Sequence, residues 1–165
     1  MRGFRRRRER AFMSGKEILP YAKRLRTARE EAGKSREQMA ALLGIIIESY
    51  WDLEAHDNEV LMCLSIHQLV LLCRTLNVPP SRLFAEEHRE PREAISLAGL
   101  GAKIQSHIKA QQMALSEFGD RVGWDVEKML DRPEERFNVY ALRDVCREIG
   151  VNWVSMLSEV VDQRP

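Results

Sequence analysis

The helical arrangement of the N-terminal half follows from residues 33–44, GKSREQMAALLG. Gln38 follows Ser35 at the spacing of a capping box, in which each side chain accepts a hydrogen bond from the other residue's backbone N–H at the start of a helix. Gly44 stands where the end of a helix needs a positive φ, which glycine adopts at little cost. Met39, Ala40, Leu42 and Leu43 are predicted to form the inner face of this helix. The stretch therefore predicts a short amphipathic helix with both ends specified.

Helical patterns also flank this stretch. Tyr21–Ala32 is rich in Arg and Glu and predicts an amphipathic helix that ends at Gly33. Ile46–Leu53 predicts a further short helix, with Tyr50 and Leu53 directed into the core. After a loop around residues 56–60, Ser65 is expected to cap a longer helix with apolar residues at helical spacing. Because the chain lacks alternating strand runs and hairpin signals, the fold class predicted is all-α.

The segment from residue 97 onward repeats this plan. Four apolar positions of the longer helix recur at an offset of 73: Ile66, Leu69, Cys73 and Leu76 correspond to Val139, Leu142, Cys146 and Ile149. Further upstream, residues 118–123 match residues 39–44 at an offset of 79. Two copies of one five-helix unit explain the length better than a single domain does. The predicted organisation is an N-terminal arm (1–16), a first unit (17–86), a polar linker (87–96) and a second, divergent unit (97–165).

The formal net charge of +1 hides a basic N-terminus. Residues 1–16 contain seven basic side chains and one acid, whereas the remainder is mildly acidic. Such an arm can contact nucleic acid or an acidic partner. It is equally consistent with a self-repelling disordered tail, or with translation that starts at Met13.

Other composition signals narrow the class of protein. The longest apolar stretch, residues 60–73, is too short and too polar to span a bilayer. Three irregularly spaced cysteines and the absence of a secretory signal indicate a reducing, cytoplasmic location. Cys63, His67 and Cys73 are close in sequence, but no second ligand pair follows them, so we expect neither a metal nor another cofactor. No phosphate-binding loop or nucleophile motif is present, and we expect no enzymatic activity.

Residues 33–44 resemble the helix-turn-helix core of the lambda-repressor/Cro-like (XRE) family, which usually reads Gly-Leu-Ser-Gln-Glu-Glu-Leu-Ala-Glu-Leu-Leu-Gly there. The resemblance extends over Tyr21–Phe84, including the Leu53-Glu54 pair, whereas in the second unit it rests on the internal repeat. It implies two tandem five-helix bundles and a DNA-binding transcriptional regulator, with the Ile46–Leu53 helix in the major groove of double-stranded DNA.

The resemblance also implies which residues touch DNA. Arg36 stands where the family places a phosphate-contacting Gln, and a guanidinium suits that role. The implied DNA-facing set is Arg36, Ile46, Ile47, Glu48, Ser49, Trp51 and Asp52. Further phosphate contacts are expected from Arg5, Arg6, Arg7, Arg8, Arg26 and Arg29.

The recognition helix departs from the family pattern. Family members usually carry Ser or Asn, Arg, Thr and Gln at groove-facing positions, whereas this helix has no basic or amide side chain and carries Glu48 and Asp52. The alternative function is therefore a degenerate helix-turn-helix module, antitoxin-like or a co-regulator, that binds a protein or a second copy through Ile46, Ile47 and Trp51. These apolar side chains could equally be buried against residues 60–64.

The second unit departs further. Ala114 and Leu115 stand where the first unit has Ser35 and Arg36, so the expected phosphate anchor is missing. Pro133 is expected to shorten its third helix. The two covalent copies could nevertheless act together as a pseudo-dimer.

Overall fold

A computed structural model describes residues 21–88 and 92–162, apart from the side chains of residues 86 and 88. These residues form α-helices, one 3₁₀ turn and connecting loops, and within them the only extended pairing consists of two isolated β-bridges. The all-α class predicted from the sequence is confirmed. The N-terminal arm, including Arg5, Arg6, Arg7, Arg8 and Met13, lies outside the described residues.

The helices follow one another through short loops. In the first unit they are α1 (Tyr21–Glu31), α2 (Arg36–Leu43), α3 (Ile47–Ala55), α4 (Asp57–Met62), α5 (Ile66–Leu76), α6 (Pro80–Leu83) and α7 (Ala85–His88). After a 3₁₀ turn (Leu97–Gly99), the second unit has α8 (Leu100–Ala110), α9 (Leu115–Val122), α10 (Val126–Leu130), α11 (Pro133–Arg136), α12 (Val139–Glu148) and α13 (Trp153–Asp162).

Local signals specify both ends of α2. The Ser35 hydroxyl accepts a hydrogen bond from the Gln38 backbone N–H at 3.2 Å, and Gln38 Oε1 accepts one from the Ser35 N–H at 2.9 Å. Gly44 ends the helix in the left-handed conformation, with φ of 67°. The predicted capping box and the predicted positive φ are both confirmed. Because these ends leave a turn of only a few residues, α3 follows α2 directly.

The segment after α3 is helical, and the prediction of a loop around residues 56–60 is wrong. Residues 57–62 form α4, whose first turn carries Asp57 and Glu59, acids that favour a helix N-terminus. Asp57 also accepts a hydrogen bond from the Ala22 backbone N–H at 2.9 Å, which ties α4 to the start of α1. Val60 and Leu61 are buried in the core. Tertiary packing on an apolar pair therefore stabilises a helix that has little sequence periodicity of its own.

The second unit begins with the same order of helices but less well specified ends. Asp125 caps α10 by accepting a hydrogen bond from the Lys128 N–H, and α10 ends at Leu130, before Pro133. Ala114 precedes α9 without a side-chain cap. The third helix of this unit is thus shorter than its counterpart α3.

The two units share one continuous hydrophobic core. Phe84 lies between them, with its ring centroid 5.0 Å from that of Tyr21 in α1 and 4.8 Å from that of Trp153 in α13. Glu87, assigned from the sequence to a polar linker, is only 5% exposed. Its carboxylate accepts bonds from Arg147 Nη2 at 2.7 and 2.8 Å. Glu87 therefore belongs to the packed junction between the units.

Within the described residues, none of the helices has the length and apolar character needed to cross a membrane.

Candidate nucleic-acid interface

The outer face of α3 is the most exposed part of the predicted interface. Ile46, which precedes the helix, is 66% exposed, and Trp51 is 55% exposed. Glu48 and Asp52 are exposed on the same helix, and Ser49 is half-buried. The inner face carries Tyr50 and Leu53, both fully buried as predicted, and they anchor α3 on the core. Consequently α3 is held from one side and presents an acidic and aromatic surface on the other.

A buried carboxylate joins the first three helices. Glu54 of α3 is almost fully buried and accepts a hydrogen bond from Arg29 of α1, with Nη2 3.1 Å from Oε2. It also accepts one from Nε of Arg36, the first residue of α2, at 2.8 Å. Burial raises the pKa of Glu54, but the bonds from the two guanidinium groups outweigh it, and the pKa is lowered overall. Glu54 is therefore an ionised bridge that sets the positions of α1, α2 and α3 relative to one another.

Arg36 lies at the edge of the candidate interface. Its guanidinium stacks on the Trp51 ring, 4.3 Å from the ring centroid, and its side chain is 26% exposed. The bond to Glu54 uses only Nε, and among the described residues the terminal amino groups of Arg36 donate to no other side chain or carbonyl. Arg36 is thus oriented by Glu54 and Trp51 while its two amino groups remain able to bind an anion.

The two other described arginines of the predicted phosphate set differ in position. Arg26 is about half exposed and donates from Nη2 to the backbone carbonyl of Glu54 at 3.0 Å. Arg29 is buried, and besides Glu54 it donates to the Lys34 carbonyl at 2.9 Å. Its bond to Glu54 raises the pKa of Arg29. We therefore remove Arg29 from the candidate DNA contacts, because a buried, fully engaged guanidinium cannot reach a phosphate.

The predicted apolar patch is only partly formed. Ile46 and Trp51 are exposed, whereas Ile47 is half-buried and packs against the core. Residues 60–64 do not cover the two exposed side chains, because Val60, Leu61 and Leu64 are turned into the core. Met62 adds a third exposed apolar side chain on α4.

The equivalent surface of the second unit lacks these features. Leu115 is half-buried where the first unit has Arg36, and it packs against the core. Lys128 on α10 forms an ion pair with Asp125 at 2.7 Å. Trp124 packs on Tyr140 and donates from Nε1 to Asp144 at 3.2 Å, so it lies between helices. Among residues 97–162, which the structure describes in this unit, there is no counterpart of the Arg36–Trp51 arrangement.

The two cysteines considered as metal ligands differ in solvent exposure. Cys73 is buried in the core, whereas Cys63 is exposed and donates from Sγ to Glu59 at 2.7 Å. In the described ranges, no group of three or more His, Cys, Asp or Glu side chains is arranged to hold a metal ion.

Sequence reasoning missed the organising role of Glu54. The Leu53-Glu54 pair was part of the family resemblance, but nothing in the sequence indicated that Glu54 is buried, or that Arg29 and Arg36 are its partners. Comparison of the chain with protein-family models, with curated proteins and with solved structures found no match.

Proposed function

We propose that the first unit binds double-stranded DNA as an XRE-type helix-turn-helix transcriptional regulator, with α3 in the major groove. The observation that carries the proposal is the pairing of α2 and α3 across the Gly44 turn, which leaves the outer face of α3 exposed with Arg36 beside it. In this docking mode the second helix of the pair enters the groove while the first lies near the phosphate backbone. Arg36, at the first position of α2, is where a phosphate contact is expected.

On this proposal, shape and charge come from different parts of the chain. Helix α3 supplies an exposed face to enter the groove, but it has no lysine or arginine and so does not attract phosphate. Arg36, Arg26 and the arginines of the arm supply the positive charge. Affinity then depends strongly on salt, because each phosphate contact releases bound counterions.

Fluorescence anisotropy with a labelled random-sequence duplex tests the proposal. We expect salt-dependent binding by the full chain, and weaker but measurable binding by a chain that begins at Met13. Arg36→Met removes the charge and the donors while keeping an aliphatic stem against Trp51, and it should lower the salt slope by about 1. Lys109→Met, which removes an exposed charge on α8, is the matched control. Loss of all binding in the chain that begins at Met13 would contradict a role for α3.

A second candidate function is protein binding, and the exposed side chains Ile46 and Trp51 favour it. Aromatic anchors bordered by charge suit protein interfaces, and Glu48 and Asp52 repel phosphate. Such binding should tolerate salt and should be lost on Trp51→Ala. Two results together would favour this candidate over the first: the full chain self-associates unless Trp51 is replaced by Ala, and it does not bind DNA at low salt.

A further inference from the structure

The contact between the two units is reciprocal. Ser65 and Asn138, the N-cap residues of α5 and α12, form an antiparallel bridge. The Ile66 N–H donates to the Phe137 carbonyl at 3.0 Å, and the Val139 N–H donates to the Leu64 carbonyl at 3.1 Å. Val139 lies 73 positions after Ile66, and Leu64 lies 73 positions before Phe137, so the two bonds are equivalent with the donor and acceptor units exchanged. This exchange is the signature of a two-fold, isologous interface.

Two arginines repeat the same relation at the far end of these helices. Arg74 of α5 donates to the carbonyls of Val160 and Val161, in the last turn of α13, at 2.8 and 3.1 Å. Arg147 of α12, which is 73 positions later, donates to the carboxylate of Glu87. Glu87 is in turn 73 positions before Val160. Each arginine therefore reaches from the fifth described helix of its own repeat to the last helical segment of the other repeat.

The packing of whole helices agrees with a two-fold relation. Helix α4 packs against α12, and α11, its counterpart in the second repeat, packs against α5. Two separate copies related by a two-fold axis would meet in the same way. The surface that a homodimer would form between chains is therefore occupied within this chain.

The two repeats nevertheless differ at the surface proposed to meet DNA. The first has α3, with nine residues, and Arg36 beside it. The second has α10, with five residues, Leu115 in place of Arg36, and Lys128 paired with Asp125. Only one of the two related positions presents both a helix of normal length and a cation able to hold phosphate.

We propose that the second unit is the built-in dimerisation partner of the first, and that a single chain contacts one DNA half-site through α3 alone. This inference rests on the proposed DNA binding. The DNA ligand is then a short, non-palindromic duplex segment bound by a monomer, in contrast to the two half-sites about 10 base pairs apart that a symmetric dimer reads.

The first test compares two duplexes, one of about 12 base pairs, which holds one half-site, and one of about 24, which holds two. We expect the full chain to bind both with affinities within about threefold, because one contact region gains little from added length. Arg36→Met should weaken binding to both duplexes, whereas Lys128→Met should leave it unchanged. Two linked contacts would make the affinity for the longer duplex more than about tenfold higher than that for the shorter one, and this result would overturn the inference. An equal loss from Lys128→Met would do the same.

The second test examines the internal interface without DNA. Residues 65 and 138 oppose each other in a bridge, a separation of about 4.5–5.5 Å between Cα atoms that a disulfide spans. In a Cys63→Ser background, the full chain with Ser65→Cys and Asn138→Cys should form an intramolecular disulfide on oxidation and remain a monomer in sedimentation. Disulfide-linked dimers, or a dimer of the unmodified chain, would overturn the internal pairing.

The two tests separate two kinds of failure. Absence of binding to either duplex at low salt would refute the proposed DNA binding and the half-site that depends on it. Intermolecular disulfides combined with normal DNA binding would refute the built-in partner alone.

Discussion

Removal of the Glu54 carboxylate should destabilise the first unit strongly. Glu54→Ala leaves the guanidinium of Arg29, which is only 9% exposed, without its buried carboxylate partner. Arg36 is less affected, because its side chain already reaches solvent and can turn outward. The perturbation is therefore mainly the creation of a buried charge whose remaining ion pair is with the exposed Glu30 carboxylate, at 3.4 Å.

The expected size of this effect follows from the burial of the pair. Breaking a buried ion pair by removing one partner lowers the free energy of unfolding by about 3–5 kcal/mol. For a chain of this length, each kcal/mol lowers Tm by about 2–4 °C, so Glu54→Ala should lower Tm by about 6–20 °C. Arg29 keeps its bond to the Lys34 carbonyl, which places the expected loss toward the lower end of the range.

Urea and thermal unfolding, followed by far-ultraviolet circular dichroism, measure this change. The matched control is Glu48→Ala, which removes an exposed carboxylate from the same helix and should change the free energy of unfolding by less than about 0.5 kcal/mol. In a double-mutant cycle, Arg29→Met with Glu54→Met should be more stable than either single variant, because both charges are removed together. A Glu54→Ala variant as stable as its Glu48→Ala control would refute the assignment of Glu54 as a buried bridge.

Four further predictions concern acid stability, helix capping, helix packing and thiol reactivity. Because the pKa of Glu54 is lowered in the folded state, its contribution to the free energy of unfolding is complete above the ordinary carboxyl pKa of 4.5 and is lost as the pH falls through the folded-state value. The free energy of unfolding should therefore fall less steeply with decreasing pH in Glu54→Ala than in the unmodified chain. Ser35→Ala should cost about 1 kcal/mol in urea unfolding, because the Gln38 N–H loses its acceptor, and Ser35→Asp should restore most of this loss. Gly119→Ala should destabilise the second unit, because a Cβ there would lie 2.8 Å from the Trp124 carbonyl oxygen, and unchanged thermal unfolding would contradict this packing. Cys63 is exposed overall, but partial burial of its thiol and the contact with Glu59 raise the thiol pKa to about 11. Iodoacetamide should therefore modify Cys63 slowly at neutral pH and faster after Glu59→Gln. Equal rates would contradict the contact.

Features set by neighbouring residues were predictable from the sequence. The capping box at Ser35, the left-handed Gly44 and the burial of Tyr50 all follow from spacing over a few positions, and all three are present. The exposure of Ile46 and Trp51 was left open from the sequence, because a single sequence does not specify how a nearby segment packs. Here Val60 and Leu61 of α4 point into the core, and Ile46 and Trp51 stay uncovered.

Features set by distant partners were not predictable. Glu87 reads as part of a charged linker, yet its acceptor atoms meet Arg147 and Trp153, which lie 60 and 66 positions away. Arg29 reads as one charge on an amphipathic helix, yet it is buried against a residue 25 positions later. In both cases a polar side chain is buried because its partner is ionic, and hydrophobic periodicity carries no information about such pairs.

The position of Glu54 links the stability of the first unit to the geometry of its candidate interface. One carboxylate bonds Arg29 from α1 and Arg36 from α2, and it is itself carried by α3, so it fixes the angle at which α3 leaves the α2 turn. The same bond holds the Arg36 guanidinium against the Trp51 ring and determines where its amino groups point. A phosphate that binds Arg36 therefore meets a donor already oriented by the fold, but one whose charge is partly neutralised by Glu54. An arrangement of this kind favours a positioning contact over a strong electrostatic one, so under the proposed DNA binding most of the long-range attraction would come from Arg5, Arg6, Arg7 and Arg8.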